Sequence, residues 1–459
     1  MQACWLQALK PMVVVGVLAA NVVLPKFPVA APERGHNPTA AVPQVETLTD
    51  LYHLRDRLGG ELHQTATVMV ATRSGVGVAP AATLDQLWAI DRRLQQEDAA
   101  RRLWHRAEKA AAAAIALGNP ATLPPESVAA AYTHWNTAIV ALSQIAPETL
   151  GATQAVTRRQ QYEQQRAIAA YYYDTARSEF LVPIVEQTGM ASRVRLTVCN
   201  LARECRRWRG NQPPANPASL IKVPVAIALM THLHQAGIDP AAPVWVDPSN
   251  WTEDIGTTWV RTEYPLAQIM TDMVSASSNI ATNQLIDYLG WEGVNQRLYS
   301  RGYRATRIST KLVGESTYPA NVGTDPNRLT TDELTDMMVA IYNHEVPHAE
   351  LIQAALAEQR DRNLGYAAVR PPVTWLGEKT GRNSKVLGTT TAISVGGQRY
   401  IITVTLDRSA NEAVVRSIVT EVIQHLLTHN GFELAVSPTE ALVLPPPRRL
   451  ATRPQTFLP

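Results

Sequence analysis

Ser219 and Lys222 stand three residues apart at the head of an apolar stretch, residues 223–230. The pattern predicts a helix that starts at Ser219, runs to about Gln235 and stops at Gly237, with both side chains on one face. A serine hydroxyl becomes a nucleophile when a base takes its proton. A lysine is such a base once burial and a neighbouring cation pull its pKa down. A helix start adds free backbone N–H groups and positive dipole density beside the hydroxyl. The pair reads as nucleophile and base for acyl transfer. Alone it means little, since a capping serine followed by a solvated lysine gives the same spacing. Two further groups follow in order, Ser277–Ser278–Asn279 and Lys379–Thr380–Gly381. Taken singly they are a helix cap and a strand end. Together they add a second hydroxyl, an amide and a second cation, the parts that acyl transfer needs.

The trio Ser-x-x-Lys, Ser-x-Asn and Lys-Thr-Gly resembles the signature of the penicillin-recognising serine hydrolases, and most of all the class A β-lactamase-like branch. The text around the motifs, residues 273–285 and Gly388–Thr389–Thr390, supports the likeness, which covers residues 180–435 or so. The resemblance implies an α+β, β-lactamase/transpeptidase-like fold: an antiparallel sheet flanked by helices, with an all-helical middle. It implies Ser219 as the acylated residue, Lys222 as its base and Ser277 as the relay to the leaving nitrogen. Asn279 then holds Lys222 and the substrate amide, and Lys379 and Thr380 receive the substrate carboxylate. Gly381 keeps the strand edge clear for substrate. The oxyanion hole is expected from the backbone N–H groups of Ser219 and Arg382.

Two departures stand out. Ser278 occupies the place where the lactamases usually carry aspartate. Class A enzymes also place a deacylating glutamate in the loop after Arg307; here that register falls near Leu312, and Glu315 comes three residues late. Glu315 is thus a weak candidate for the deacylation base. Without one, an acyl-enzyme persists and the chain behaves like a penicillin-binding D-alanyl peptidase. The leading reading is a serine hydrolase acting on β-lactams or peptidoglycan-like peptides. A D-alanyl-D-alanine carboxypeptidase-like enzyme and a non-catalytic cell-envelope binding protein are the alternatives. No cofactor is expected. His425 and His429 share a helix face, but two histidines make a weak metal case.

The elements that must position these residues follow from periodicity. Residues 193–198 and 204–208 read as a hairpin ahead of the nucleophile helix. Helices are expected at 265–275, 281–289, 294–299, 331–343 and 350–359, and a long loop at 311–328. Strands follow at 373–379, 389–395 and 400–406, the last two around Gly396–Gly397, before a closing helix at 410–428. Upstream, Leu51, Leu54 and Leu58 mark a short helix ended by Gly59–Gly60. Residues 84–117 form one long helix or two in succession, with Thr83 and Gln86 as a capping box. Helices at 126–145 and 157–180 complete a helical region without visible chemistry, read as packed support.

The domain plan is therefore 1–31 signal peptide or membrane anchor, 32–46 linker, 47–188 helical region, 189–436 hydrolase and 437–459 a disordered Pro/Arg-rich tail. The 459 residues carry a formal net charge of +2, which excludes a dedicated nucleic-acid binder. The apolar run 12–24 is too short for a span and suits a signal-peptide core or an anchor. It implies an extracytoplasmic, periplasmic setting and envelope or membrane association through the N-terminus. Cys199 and Cys205 flank the turn of the first hairpin, either paired or as free thiols. Arg203, Arg206, Arg207 and Arg209 form a local basic patch, read as a solvated face.

Overall fold

The structure, a computed structural model, describes residues 45–71 and 81–432. The expected leader, all but the end of the linker, and the Pro/Arg-rich tail lie outside the described residues. The chain forms two compact units that divide at Gln95.

In the first unit, helix α1 (Leu48–Ala71) passes through Gly59 and Gly60 without ending. Two glycines cost a helix about 1 kcal/mol each. Packing of Leu51, Leu54 and Leu58 with Ile90 and Leu94 outweighs that. Helix α2 (Ala81–Ala116) is a single helix that starts ahead of Thr83, so Thr83 lies inside it and caps nothing.

In the second unit, α3 (Pro125–Ser143) and α4 (Ala152–Ala176) pack with the alanine-rich end of α2 around Trp135, Ile139 and Tyr162. The short α5 (Leu181–Glu186) leads into a five-stranded antiparallel sheet. Its strands are β1 (Val194–Asn200), β2 (Cys205–Trp208), β5 (Thr374–Asn383), β6 (Val386–Val395) and β7 (Gln398–Asp407), in the order β2-β1-β7-β6-β5. Gly396 and Gly397, both at positive φ, make the two-residue β6–β7 turn that needs them. Two three-residue strands, β3 (Pro243–Trp245) and β4 (Glu263–Pro265), pair apart from the main sheet. Helices α6 (Lys222–Ala236), α7 (Leu266–Ser275), α8 (Asn279–Leu289), α9 (Trp291–Ser300), α10 (Thr331–Tyr342) and α11 (Ala349–Ala357) build a core against one face of the sheet. The other face packs on α5, the four-residue α12 (Gly365–Ala368) and the closing α13 (Glu412–His429).

The expected basic patch is not a solvated face. Arg206 is fully buried and Arg207 nearly so, and only Arg209 of the group is exposed. Arg207 sits 3.3 Å from both Asp174 on α4 and Asp332 on α10. Tyr171 and Thr197 also donate to Asp332. Arg203 is clamped by Asp336 and Glu345. Apart from Glu204, 3.0 Å from Arg206, the carboxylates that neutralise these arginines come from elements distant in sequence, so the local run of positive charge gave no hint of them. Cys199 and Cys205 face each other in register and form a disulfide across the β1–β2 hairpin.

The 303–328 segment is ordered by an unbroken series of anchors. The buried Glu333 accepts from the backbone N–H groups of Arg304, Ala305 and Thr306 and from the Thr306 hydroxyl. Asn295 holds Ile308, and Asn327 takes the N–H groups of Ser309 and Thr310. Lys311 is buried against Asn250, Asp287 and the carbonyl of Ala320. Glu333→Ala removes four acceptor contacts, two of them from the buried donors of Thr306. We expect a loss of about 2–4 kcal/mol in urea unfolding, together with faster amide exchange confined first to 304–306. A change below about 0.5 kcal/mol would show that the segment is held elsewhere.

Candidate functional site

The nucleophile candidate does not sit on the α-helix proper. Residues Ala218–Ile221 form a 3-10 turn, and α6 begins only at Lys222. Pro224 explains the offset: it has no N–H to close a bond onto the turn below, so that turn tightens. Ala218, just before Ser219, holds φ +48°. Its N–H is taken by the Asn216 side chain, which also accepts from Asn383 of β5. Such a backbone conformation costs a non-glycine residue energy and persists because its surroundings enforce it.

Gly381 shows how closely the turn abuts β5. A Cβ there would lie 3.0 Å from the backbone nitrogen of Leu220 and 3.2 Å from the carbonyl of Pro217. The space is filled by the turn that holds Ser219, so glycine is required there for packing alone. β5 is the last strand of the sheet, so alternate backbone groups of it have no strand partner. The turn holding Ser219 and the strand holding Arg382 are therefore neighbours. The Arg382 side chain is turned to Glu412 on α13.

Two buried lysines meet at one hydroxyl. Lys222 Nζ donates to the Ser277 carbonyl and to Asn279 Oδ1 at 3.0 Å, and lies 3.1 Å from Ser277 Oγ. Lys379 Nζ lies 3.2 Å from the same Ser277 Oγ, 3.2 Å from Gln359 Oε1 and 2.8 Å from the carbonyl of Thr380. Both lysines are fully buried. Burial, and next the charge of Lys379, push the Lys222 ammonium well below its ordinary value; Asp254 and Asp272 oppose this weakly. Burial takes Lys379 down to about 7, against Asp361 and Glu378. The two carbonyl acceptors match the two N–H bonds of a neutral Lys222 amine. Its lone pair is then left for a hydroxyl.

Ser277 itself holds φ +62°, which turns its carbonyl and hydroxyl toward one amine. The residues on either side of it are fixed independently. Ser278 caps α8 by accepting from Ala281 N–H and donates to Asp254, which also accepts from Ile280 N–H. Asp272 accepts from the backbone and hydroxyl groups of Thr257 and Thr258. Gly256 lies so close that a Cβ would fall 2.4 Å from Ser278 Cβ and 2.6 Å from Asp272 Oδ2. Asp254, Asp272 and Gln359 were not singled out from the sequence. The one signal available was an aspartate inside the apolar stripe of α7; Gln359 offered none.

Thr380 is buried beside Lys379. Glu315 stands apart from the lysines: it is exposed and makes no hydrogen bond or ion pair with the described residues. Leu312, at the register of the usual glutamate, is clamped through its backbone N–H and carbonyl by Asn283. Glu253 instead holds the neighbouring Ser316 and Thr317, whose donors keep its carboxyl at about 2.

A model of the β-lactamase enzyme family matches residues 185–426. No curated protein matches the chain. Similar solved structures include a β-lactamase from Sphaerobacter thermophilus DSM 20745, at 20% identity and TM-score 0.47, covering 55% of this chain and 96% of that one. PBP-A is similar at 23% identity and TM-score 0.47, over 54% of this chain and 97% of its own. A β-lactamase from Xanthomonas campestris pv. campestris str. ATCC 33913 gives 16% identity and TM-score 0.47, over 54% and 98%.

Two outcomes follow from this geometry. Gly381→Ala must displace the turn that carries Ser219, so we expect a loss of about 1–3 kcal/mol in stability and slower Ser219 acylation; a neutral result in both would mean the turn yields freely. Lys379→Met removes a buried ammonium whose folded-state pKa is depressed to about 7 from 10.5. In the unfolded chain this lysine keeps its proton up to 10.5, so the stability deficit it causes is largest below 7 and disappears as pH rises through that window. Thermal melts should therefore show Lys379→Met gaining roughly 5 °C or more on wild type at pH 6, and much less at pH 10. An equal difference at both would contradict the depressed lysine.

Proposed function

The chain belongs to the β-lactamase enzyme family, and on that premise we propose that it is a serine hydrolase working through an acyl-enzyme on Ser219. The observation that carries the reading is the convergence of Lys222, Lys379 and Asn279 on Ser277, next to the turn that presents Ser219. The Ser219 hydroxyl attacks the substrate carbonyl and its proton passes to the Lys222 amine. The negative charge that develops on the carbonyl oxygen is met by the backbone N–H groups of Ser219 and Arg382, a pair worth several kcal/mol to the transition state. When the C–N bond breaks, Ser277 gives its proton to the nitrogen and regains one from Lys222. Lys379 and Thr380 hold the substrate carboxylate through charge-assisted hydrogen bonds. Substrates of this class are β-lactams and acyl-D-alanyl-D-alanine-like peptides.

A second reading, a D-alanyl peptidase-like enzyme, is favoured by one observation. Leu312 fills the place of the usual deacylation base and Glu315 is exposed and unengaged. A lactam-derived acyl group stays tethered and crowds the approach of water, whereas a peptide's leaving amine departs. We further propose that the protein acts outside the cytoplasm, in keeping with the Cys199–Cys205 disulfide and the apolar N-terminal run.

Intact mass and peptide mapping after incubation with a reactive β-lactam test the proposal. The adduct is expected on Ser219; an adduct elsewhere, or none, contradicts it. Lys222→Ala should slow acylation by about 10²-fold or more while initial binding changes little. Acylation at the wild-type rate would remove Lys222 as the base. With a chromogenic cephalosporin the wild-type protein should show a burst followed by slow release. Glu315→Gln should leave the adduct lifetime within about twofold, since a missing general base would be worth roughly 10²–10⁴-fold. A trapped adduct in that variant would make Glu315 the base.

A further inference from the structure

Glu378 precedes Lys379 on β5 and is as deeply buried, and among the described residues its hydrogen-bond partners are all neutral. Successive strand residues point to opposite faces. The Glu378 carboxylate faces the start of α12, where it accepts from the backbone N–H groups of Gly365 and Tyr366, and β6, where it accepts from the Thr389 and Thr391 hydroxyls at 3.0 and 3.1 Å. The cradle is built to fit: a Cβ on Gly365 would fall 2.3 Å from Glu378 Oε2. Four neutral donors solvate this carboxylate in the protein interior without cancelling its charge. Lys379 has the complementary shortfall. Among the described residues its three partners are the neutral oxygens of Ser277, Gln359 and Thr380, with no carboxylate in contact.

We propose that Glu378 is a positioning residue for substrate capture, its buried carboxylate being the through-strand counter-charge that keeps Lys379 protonated for a carboxylate-bearing substrate. The inference rests on the serine-hydrolase reading of this site. The other charges that bear on the pair are few. Lys222 on α6, which shares Ser277 Oγ with Lys379, adds no charge to the pair while it is a neutral amine. Asp361, after α11, favours protonation of Lys379 at least as strongly as Glu378, but from a partly exposed position where salt screens its field. Asp254 and Asp272 act on Lys222. The elements packed against Glu378 itself present Tyr366 from α12 and the threonines of β6. Its own carboxyl is raised to about 6 by burial, so it is ionised through the neutral range. Buried and unscreened, its charge reaches the next residue with little attenuation.

The test compares benzylpenicillin with its methyl ester, which lacks the carboxylate, in single-turnover acylation of the full-length protein from pH 5 to 9. In wild type the preference for the acid should decline as pH rises through about 7. In Glu378→Gln that midpoint should fall by about one unit. At pH 7 this weakens acylation by the acid about fivefold, while the ester changes less than about twofold. Glu378→Asp keeps the charge and should restore the wild-type midpoint. Should Glu378→Gln fail to fold, Thr391→Val removes one donor from the carboxylate and should shift the midpoint the same way by a smaller amount. An unchanged midpoint overturns the proposal, as does an equal loss on both substrates, which would make Glu378 a packing residue. Absence of any Ser219 adduct in wild type overturns the serine-hydrolase reading, and this inference with it.

Discussion

Two fully buried ammonium groups share one serine hydroxyl, and most of the second unit is arranged around that fact. Lys222 and Lys379 each reach Ser277 Oγ, at 3.1 and 3.2 Å. Two like charges roughly 6 Å apart repel by about 3 kcal/mol even at an effective dielectric of about 20. That exceeds the cost of shifting one proton equilibrium by two pKa units. Burial adds to it, because each ion has lost its water. The pair therefore settles the conflict by giving up a proton, and Lys222, held on two carbonyl acceptors, is the one that yields. Burial first, and repulsion next, thus favour a neutral amine at Lys222, the state that the proposed base needs.

Such a site needs a scaffold that does not relax. Strain sits on both sides of the reacting groups, at Ala218 and Ser277. Each is fixed by polar side chains from outside its own element: Asn216 and Asn383 at the turn, Asp254 and Asp272 at the α7–α8 junction. The lysines' own hydrogen-bond partners are neutral oxygens. A carboxylate in contact would hold the proton on Lys222 and abolish its basicity. The acids nearby are instead spent on backbone N–H groups and hydroxyls, where they organise loops.

Much of this was legible in the sequence where the cause is local. Ser219 with Lys222, the Gly396–Gly397 turn and the apolar stripe of α7 are each set within a turn or two of chain, and the family model covers the same region. What escaped depends on partners far away in sequence. Arg206 and Arg207 read as a surface patch because Asp174 and Asp332 lie on other elements. Gly59–Gly60 read as a helix end because the contacts that carry α1 through them come from α2. The role of Gly381 emerged only with the turn packed on it. Gln359 and Glu378 have no signature of their own; they matter because the end of α11 places the one, and β5 the other, beside Lys379.

The central claim is that Lys222 is a neutral amine in the resting protein. Neutron diffraction from deuterium-exchanged crystals grown near neutral pH reads this directly at Nζ. Two deuterons are expected, directed at the Ser277 carbonyl and Asn279 Oδ1, with the lone pair free for a hydroxyl. Three deuterons on Nζ would show an ammonium, and Lys222 would then have no capacity to take a proton from Ser219.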